Sequence, residues 1–269
     1  MSEQRYFASN EKDETEFNRL RLVEEVRDPI TIRHLEMLRV SQGWNCLEVG
    51  AGAGSVAQWL STRVGPRGKV VATDMDTRFL SHLSVPNLEI RRHDIIKDDL
   101  GTGRYDLVHC RNLLMHLPAP EKGLKRMANA LRPGGWLLIE EMDYGSILSV
   151  DITNPSAAAY TAILRAGWDF LRKSNILDPY FGRRVRSLVE QLQFIDVGQE
   201  GWTRVNRGGD PFSRLDLMTL QASAKPMIDA GLVTQEQHES GQRSLSDPDF
   251  YYPGGTLFAA WGRRPVRKS

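Results

Sequence analysis

Apolar residues change their spacing several times along this chain, and each change marks an element. Phe17, Leu20 and Val23 fall at three-residue steps and predict a helix over residues 14–27. Asp28 followed by Pro29 reads as the start of a second helix reaching about residue 38, with a carboxylate to cap the free amides and a proline that needs no donor. From residue 45 the pattern shortens. An apolar run at 46–49 ends in glycines, and Val56, Leu60 and Val64 then predict a helix over 55–64. A β-branched strand follows at 69–73, a short helix at 77–83, and strands at 88–90 and 105–110. A helix over 121–131 is closed by Pro133-Gly134-Gly135, and a fifth strand covers 136–140. Strands alternating with helices in this way predict βαβ units and a parallel sheet covered on both faces.

Beyond Met142 the alternation stops. Helices are predicted over 157–173, 183–192, 215–230 and 234–244, and strands only over 194–197 and 256–261. We read residues 1–269 as a single domain. It comprises N-terminal capping helices (1–40), a cofactor-binding βα core (41–143), helical lid insertions (144–192 and 207–250) and final strands (193–206 and 254–264). Helices inserted over such a core commonly form a lid or a substrate pocket.

Composition narrows the partners. Charged residues make up 26% of the chain and nearly cancel at a net +1, which gives no general attraction for nucleic acid or an anionic membrane. The basic stretch 263–268 reads as a solvated tail. Cys46 and Cys110 both lie in predicted strands and read as buried free thiols. No apolar run follows the N-terminal charges, and no 18 consecutive apolar residues occur, so the expected setting is soluble and cytoplasmic.

The chemistry concentrates at Glu48-Val49-Gly50-Ala51-Gly52-Ala53-Gly54, between a strand and a helix. Glycines there let the backbone turn sharply and approach a ligand, and the amides of the next helix face it. Alone, such a turn serves NAD and FAD sites equally, or binds nothing. Asp74, 20 residues beyond Gly54 at the end of the next strand, can accept from both ribose hydroxyls of an adenosine. Met75 is placed to lie against adenine, and Asp94, after the third strand, to accept from its amino group. Each acid by itself also fits a turn or helix cap; together with the glycines they favour a nucleoside at the carboxyl ends of the strands.

The strings LEVGAGAGSVA, VVATDMD, RRHDI, LVHCRNLLMHLP and LRPGGWLLIEE resemble, in order and spacing, the motifs of class I S-adenosylmethionine-dependent methyltransferases. The likeness is to the bacterial branch that modifies small molecules and natural products. It is strong over residues 46–141 and loose elsewhere. It implies a Rossmann-like α/β fold, with a seven-stranded, mostly parallel sheet, helices on both faces and an antiparallel last strand. It also implies S-adenosylmethionine as cofactor, with S-adenosylhomocysteine as product. By position, Glu48, Gly50 and Gly52 would hold the methionine and ribose part, and Asp74 the ribose. Met75, Asp94 and Ile95 would hold the adenine, Arg111 the methionine end, and Arg19 the carboxylate. The rival is NAD, but a dinucleotide fingerprint prefers glycine where this chain has Ser55.

Methyl transfer requires nucleophile, methyl carbon and sulfur in line, with water excluded, and a dedicated base is optional. His116, just after the fourth strand, is the first candidate base; His109 is a weaker one, and Tyr144 a further pocket candidate. Trp168, Phe170, Tyr180 and Phe181 serve either an aromatic-friendly pocket or core packing. No His pair or Cys-x-x-Cys has metal-ligand spacing, so no metal is expected. The reading that results is methylation of a small-molecule acceptor at oxygen, nitrogen or carbon. The alternative is a cofactor-binding cyclase or pericyclase on the same fold. RNA or protein methylation ranks last, because the chain reads Arg111-Asn112-Leu113-Leu114 where base-amino methylating relatives carry Asn-Pro-Pro-Tyr or Asp-Pro-Pro-Tyr. A homodimer is the one assembly considered, since the N-terminal helices can cap their own site or a neighbour's.

Overall fold

Every strand predicted from a short apolar run is present in the computed structural model, which describes residues 13–146 and 155–266. They are β1 (Asn45–Val49), β2 (Lys69–Asp74), β3 (Leu88–Arg92), β4 (Tyr105–Arg111), β5 (Leu131–Asp143), β6 (Ile195–Trp202) and, last in the chain, Thr256–Arg263, numbered β9. They form a seven-stranded sheet in the order β3-β2-β1-β4-β5-β9-β6. β1 pairs in parallel with both β2 and β4, so the chain reverses its direction of winding beside β1. In open α/β sheets that is where ligands sit, outside the carboxyl ends of the strands.

The chain divides into two compact units. One holds Arg27–Glu141, Phe181–Gly201 and the chain from Phe258, and therefore most of the sheet. In its core α2 (Ser55–Val64) buries Val56, Ala57, Leu60 and Val64 in a cluster with Leu35, Cys46, Val70 and Leu107. The other holds the chain up to Val26, Met142–Tyr180 and Trp202–Leu257. It contains α4 (Pro155–Lys173), α6 (Pro211–Asp229) and α7 (Gln235–Ser246). Tyr160, Phe250 and Tyr252 pack their rings together there, with centroids 5.1–5.5 Å apart.

The structure corrects several sequence expectations. The N-terminal stretch is one helix, α1 (Asp13–Met37), with Pro29 inside it. Asp28 does not cap a second helix; its carboxylate accepts from Arg111 Nη2 at 2.9 Å. An interior proline costs about 3 kcal/mol. Burial of Ile30, Leu35 and Leu38 offsets that, at about 1.5–3 kcal/mol each. The predicted helix over 77–83 is a single 3-10 turn, Thr77–Leu80, capped by Asp76. The helix predicted over 183–192 is a 3-10 turn, Phe181–Arg184, followed by α5 (Val185–Gln191). α6 starts earlier than predicted, because Asp210 accepts from Ser213 N at 2.8 Å and Pro211 fits the first turn. The antiparallel pair β7 (Val205–Arg207) and β8 (Tyr251–Pro253) had no sequence signal, since three residues are too few to display a period.

Leu131-Arg132-Pro133-Gly134-Gly135 is not a loop. α3 (Pro120–Ala130) ends directly before it and β5 begins with it, through an irregularity in register opposite Tyr105–Leu107. At Gly135 a Cβ would stand 2.8 Å from the Tyr105 carbonyl oxygen and 3.1 Å from those of Arg132 and Asp106. Backbone cannot yield as a side chain does. Gly135→Ala is expected to lower stability by about 1–3 kcal/mol, read as a fall in urea midpoint at unchanged slope.

Candidate active site

The turn after β1 takes left-handed backbone at Gly50 (φ 75°), Gly52 (φ 60°) and Gly54 (φ 95°), which L side chains rarely adopt. A Cβ on Gly54 would also stand 2.4 Å from Leu83 Cδ1. The amides of Gly50 and Ala51 donate to the Thr73 carbonyl at 2.8 and 3.0 Å, tying the turn to the end of β2. α2 then starts directly after Gly54.

Asp74 closes this turn from the neighbouring strand. Its carboxylate accepts from Gly52 N and from Asp76 N, each at 3.0 Å. Burial pushes its carboxyl up, against the pull of these amides. Met75 beside it is half exposed, at 51%. The Asp74 carbonyl accepts from His93 N at 2.8 Å, which brings the end of β3 alongside. Asp94 follows; it accepts from Ile96 N at 2.9 Å and pairs with Lys97 at 3.1 Å. Burial raises its carboxyl, but the Ile96 amide and the Lys97 ammonium outweigh this and hold it below the ordinary range. Ile95 is buried. The structure thus brings Glu48, the glycines, Asp74, Met75, Asp94 and Ile95 to adjacent ends of β1, β2 and β3.

The other candidates stand in different settings. Arg111, at the end of β4, donates to Thr31 Oγ1 and Asp28 Oδ1 at 2.9 Å each, so its guanidinium is engaged on α1. Arg19 grips Glu16 with two hydrogen bonds of 2.8 and 2.7 Å within the same helix. Tyr144 lies in the other unit, stacked on Trp168 with centroids 4.1 Å apart. Trp168 itself is buried and lines a small apolar pocket with Ile163, Leu171, Leu220 and Met227. Phe181 is packed in the core of the sheet-bearing unit.

His116 ends a 3-10 turn, Leu114–His116, directly after β4. That turn is held by a residue the sequence reading passed over. The Glu141 carboxylate accepts from Leu113 N at 2.9 Å, Leu114 N at 2.6 Å and Met115 N at 3.4 Å. Burial raises the Glu141 carboxyl to about 8 despite these amides, and the neighbouring Glu140 charge adds to the rise.

A second omission is a buried polar chain. Glu48 Oε2 meets His109 Nδ1 at 2.7 Å, and His109 Nε2 meets Glu140 Oε2 at 3.2 Å. Glu140 also takes the Thr31 hydroxyl at 2.5 Å and His34 Nδ1 at 2.6 Å. The available signal was a charged residue inside a strand buried on both faces: Glu48 in β1, His109 in β4, Glu140 in β5. Isolated charges are not kept there without partners.

These residues fit an adenosine-bearing, amino-acid-tailed cofactor. The glycine turn takes left-handed backbone beside the Asp74 carboxylate, and Glu48 keeps one oxygen unbonded among the described residues. Comparison with known proteins places the chain in a family. The chain is 27% identical over 180 residues to a methyltransferase of Strobilurus tenacellus, covering 66% of this chain but only 63% of that relative's length. Its fold is similar to that of phosphoethanolamine N-methyltransferase 2 of Haemonchus contortus, solved with S-adenosylhomocysteine, at TM-score 0.52 and 15% identity over 84% of this chain and 50% of that one. It is similar also to the cyclase SpnF, at TM-score 0.51 and 14% identity over 89% and 82% of the two chains. The profile of a family described as a methyltransferase domain matches residues 7–197, more than half of the sequence, and that span holds β1 to β5 and the glycine turn. The chain therefore belongs to the methyltransferase domain family.

Proposed function

We propose that this protein transfers a methyl group from S-adenosylmethionine to a small-molecule acceptor. The observation that carries the reading is the joining of the glycine turn to Asp74 through the Gly52 amide, with Asp94 on the next strand end. When bound, S-adenosylmethionine supplies a methyl group already activated for in-line displacement.

The chain's residues then have separate tasks. The Glu48 carboxylate accepts from the cofactor's ammonium. Asp74 accepts from the ribose hydroxyls while it keeps the turn closed through Gly52 and Asp76. Met75 lies along adenine, and Asp94 with the Ile95 amide meets its edge. His116, on the turn that Glu141 secures, takes a proton from the acceptor. Tyr144 lines the acceptor side. The helical insertions 144–192 and 207–250 select the acceptor within one methyltransferase domain, acting in the cytoplasm. The relative from Strobilurus tenacellus and the buried, free Cys46 and Cys110 support this reading. Among the described residues, no helix is long and apolar enough to cross a membrane.

Calorimetric titration with S-adenosylmethionine, S-adenosylhomocysteine and NAD tests the cofactor. Saturable binding of the first two and none of NAD is expected; binding of NAD alone would sink the proposal. With an acceptor in hand, stoichiometric release of S-adenosylhomocysteine separates methyl transfer from a cyclase, which converts substrate without it. His116→Gln is expected to lower kcat about 100-fold at unchanged cofactor affinity. An unchanged kcat would remove His116 from the chemistry.

A further inference from the structure

Glu48 is a carboxylate inside a strand buried on both faces, with its side chain 4% exposed. One of its oxygens accepts from His109; the other has no hydrogen-bond partner among the described residues. That oxygen is not among the fully buried polar atoms left without a partner, so the little exposure Glu48 has leaves it open to a ligand's donor. On the far side of His109 stands Glu140, fully buried. Both ring nitrogens of His109 therefore face carboxylate oxygens, and both must donate, which makes the ring an imidazolium. Burial opposes that charge, but Glu48 and Glu140 outweigh it and hold the proton to about pH 9.

The surroundings keep this arrangement rigid. Thr31 and His34 of α1 donate to Glu140, and Arg111 of β4 bridges Thr31 and Asp28. Glu200 of β6 stands 3.9 Å from His34 Nε2 and pairs with Arg33. Within Glu48, His109 and Glu140, two carboxylates face one imidazolium, so the trio keeps a negative charge. Its unbonded oxygen lies on Glu48, and a cation placed there completes both the charge and the hydrogen bonding.

We propose that His109 is a positioning residue for the cofactor. It holds the Glu48 carboxylate so that the unbonded oxygen receives the cofactor's ammonium, and Glu140, fastened to α1, holds His109. This rests on the methyltransferase reading above. An acceptor fixed before the ligand arrives needs no reorganisation when it binds, which is the advantage of backing a ligand-binding carboxylate with a second acid–base pair.

The test is a double-mutant cycle on S-adenosylhomocysteine binding, with the unaltered chain, His109→Gln, Glu48→Gln and the double variant. His109→Gln is expected to weaken binding roughly tenfold. In the Glu48→Gln background the same change should cost less than about twofold, because its effect passes through Glu48. An equal factor in both backgrounds marks a packing role and overturns the proposal, as does unaltered binding by His109→Gln. Should that variant fail to fold, nitrogen-15 histidine spectra of the unaltered chain decide. Both His109 nitrogens should be protonated at neutral pH and shift on saturation with S-adenosylhomocysteine; a neutral ring or unmoved resonances overturn it. No binding to the unaltered chain removes the cofactor reading and this proposal with it, whereas intact binding with an additive cycle removes the positioning role alone.

Discussion

Glu140→Ala is expected to destabilise the protein by about 3–5 kcal/mol, among the largest effects of any single substitution. The carboxylate is fully buried and takes three donors, from Thr31, His34 and His109. Its removal leaves His109 charged beside Glu48 alone and strands the Thr31 hydroxyl and the His34 ring. Glu140→Gln keeps the shape and one acceptor oxygen, so its cost should be smaller. The pH dependence identifies the cause. His109 is raised from 6.5 to about 9, so its contribution is full below about pH 6.5 and is lost as pH rises through 9. Glu140 is held far below its ordinary 4.5 by His109 and His34 in spite of burial, so its contribution is present above pH 4.5 and lost in acid. Glu141, raised by burial from 4.5 to about 8, is stabilising below pH 4.5, and that contribution is lost as pH rises from there to 8. Urea unfolding of the unaltered protein should therefore weaken from pH 6.5 to 9. The Glu140→Ala variant should lose part of that slope, retaining what Glu141 and the His109–Glu48 pair supply. A loss under about 1 kcal/mol at pH 6.5 would mean that the buried chain relaxes or hydrates when opened.

Asp74→Ala is expected to abolish measurable cofactor binding, with affinity falling at least about 100-fold. Two charge-assisted hydrogen bonds to a ribose are worth about 1.5–3 kcal/mol each. The substitution also removes the acceptor of the Gly52 and Asp76 amides, so the turn loses its closure as well as its ligand contact. Asp74→Asn separates the two effects. Its single carbonyl can keep one of the two amides, Gly52 or Asp76, while the charge is lost, so the turn should be loosened less and binding should fall by less than in the alanine variant. Calorimetry with S-adenosylhomocysteine measures both, with circular dichroism to show that the fold is intact. Affinity within threefold of the unaltered protein would transfer the ribose role away from Asp74.

The sheet was legible because its strands are short, apolar and bounded by glycine, proline and acidic residues. The run at 46–49 and the strand at 69–73 appear within a residue of their predicted places as β1 and β2. The glycine turn, Asp74 and Asp94 were legible for a related reason. Each lies within a few residues of a strand end, so local sequence carries its position. The helix boundary expected at Asp28-Pro29 failed because the proline rule is local and the opposing terms are not. Leu35 and Leu38 are buried by strands far along the chain, and Asp28 is claimed by Arg111, 83 positions away.

The amino-acid sequence by itself determined the alternation of strands and helices, the glycine turn and the acids at three successive strand ends. These depend on periodicity and on backbone conformations that only certain residues adopt. Tertiary structure alone decided which buried charges meet. Glu48, His109 and Glu140 are 61 and 31 positions apart along the chain and come together only because β1, β4 and β5 are neighbours in the sheet. It likewise decided that Glu141 secures the turn carrying His116, since a carboxylate reaches amides 26–28 positions away only through the pairing of β4 with β5. Strand order is a choice among long-range pairings whose free energies no local window of sequence contains.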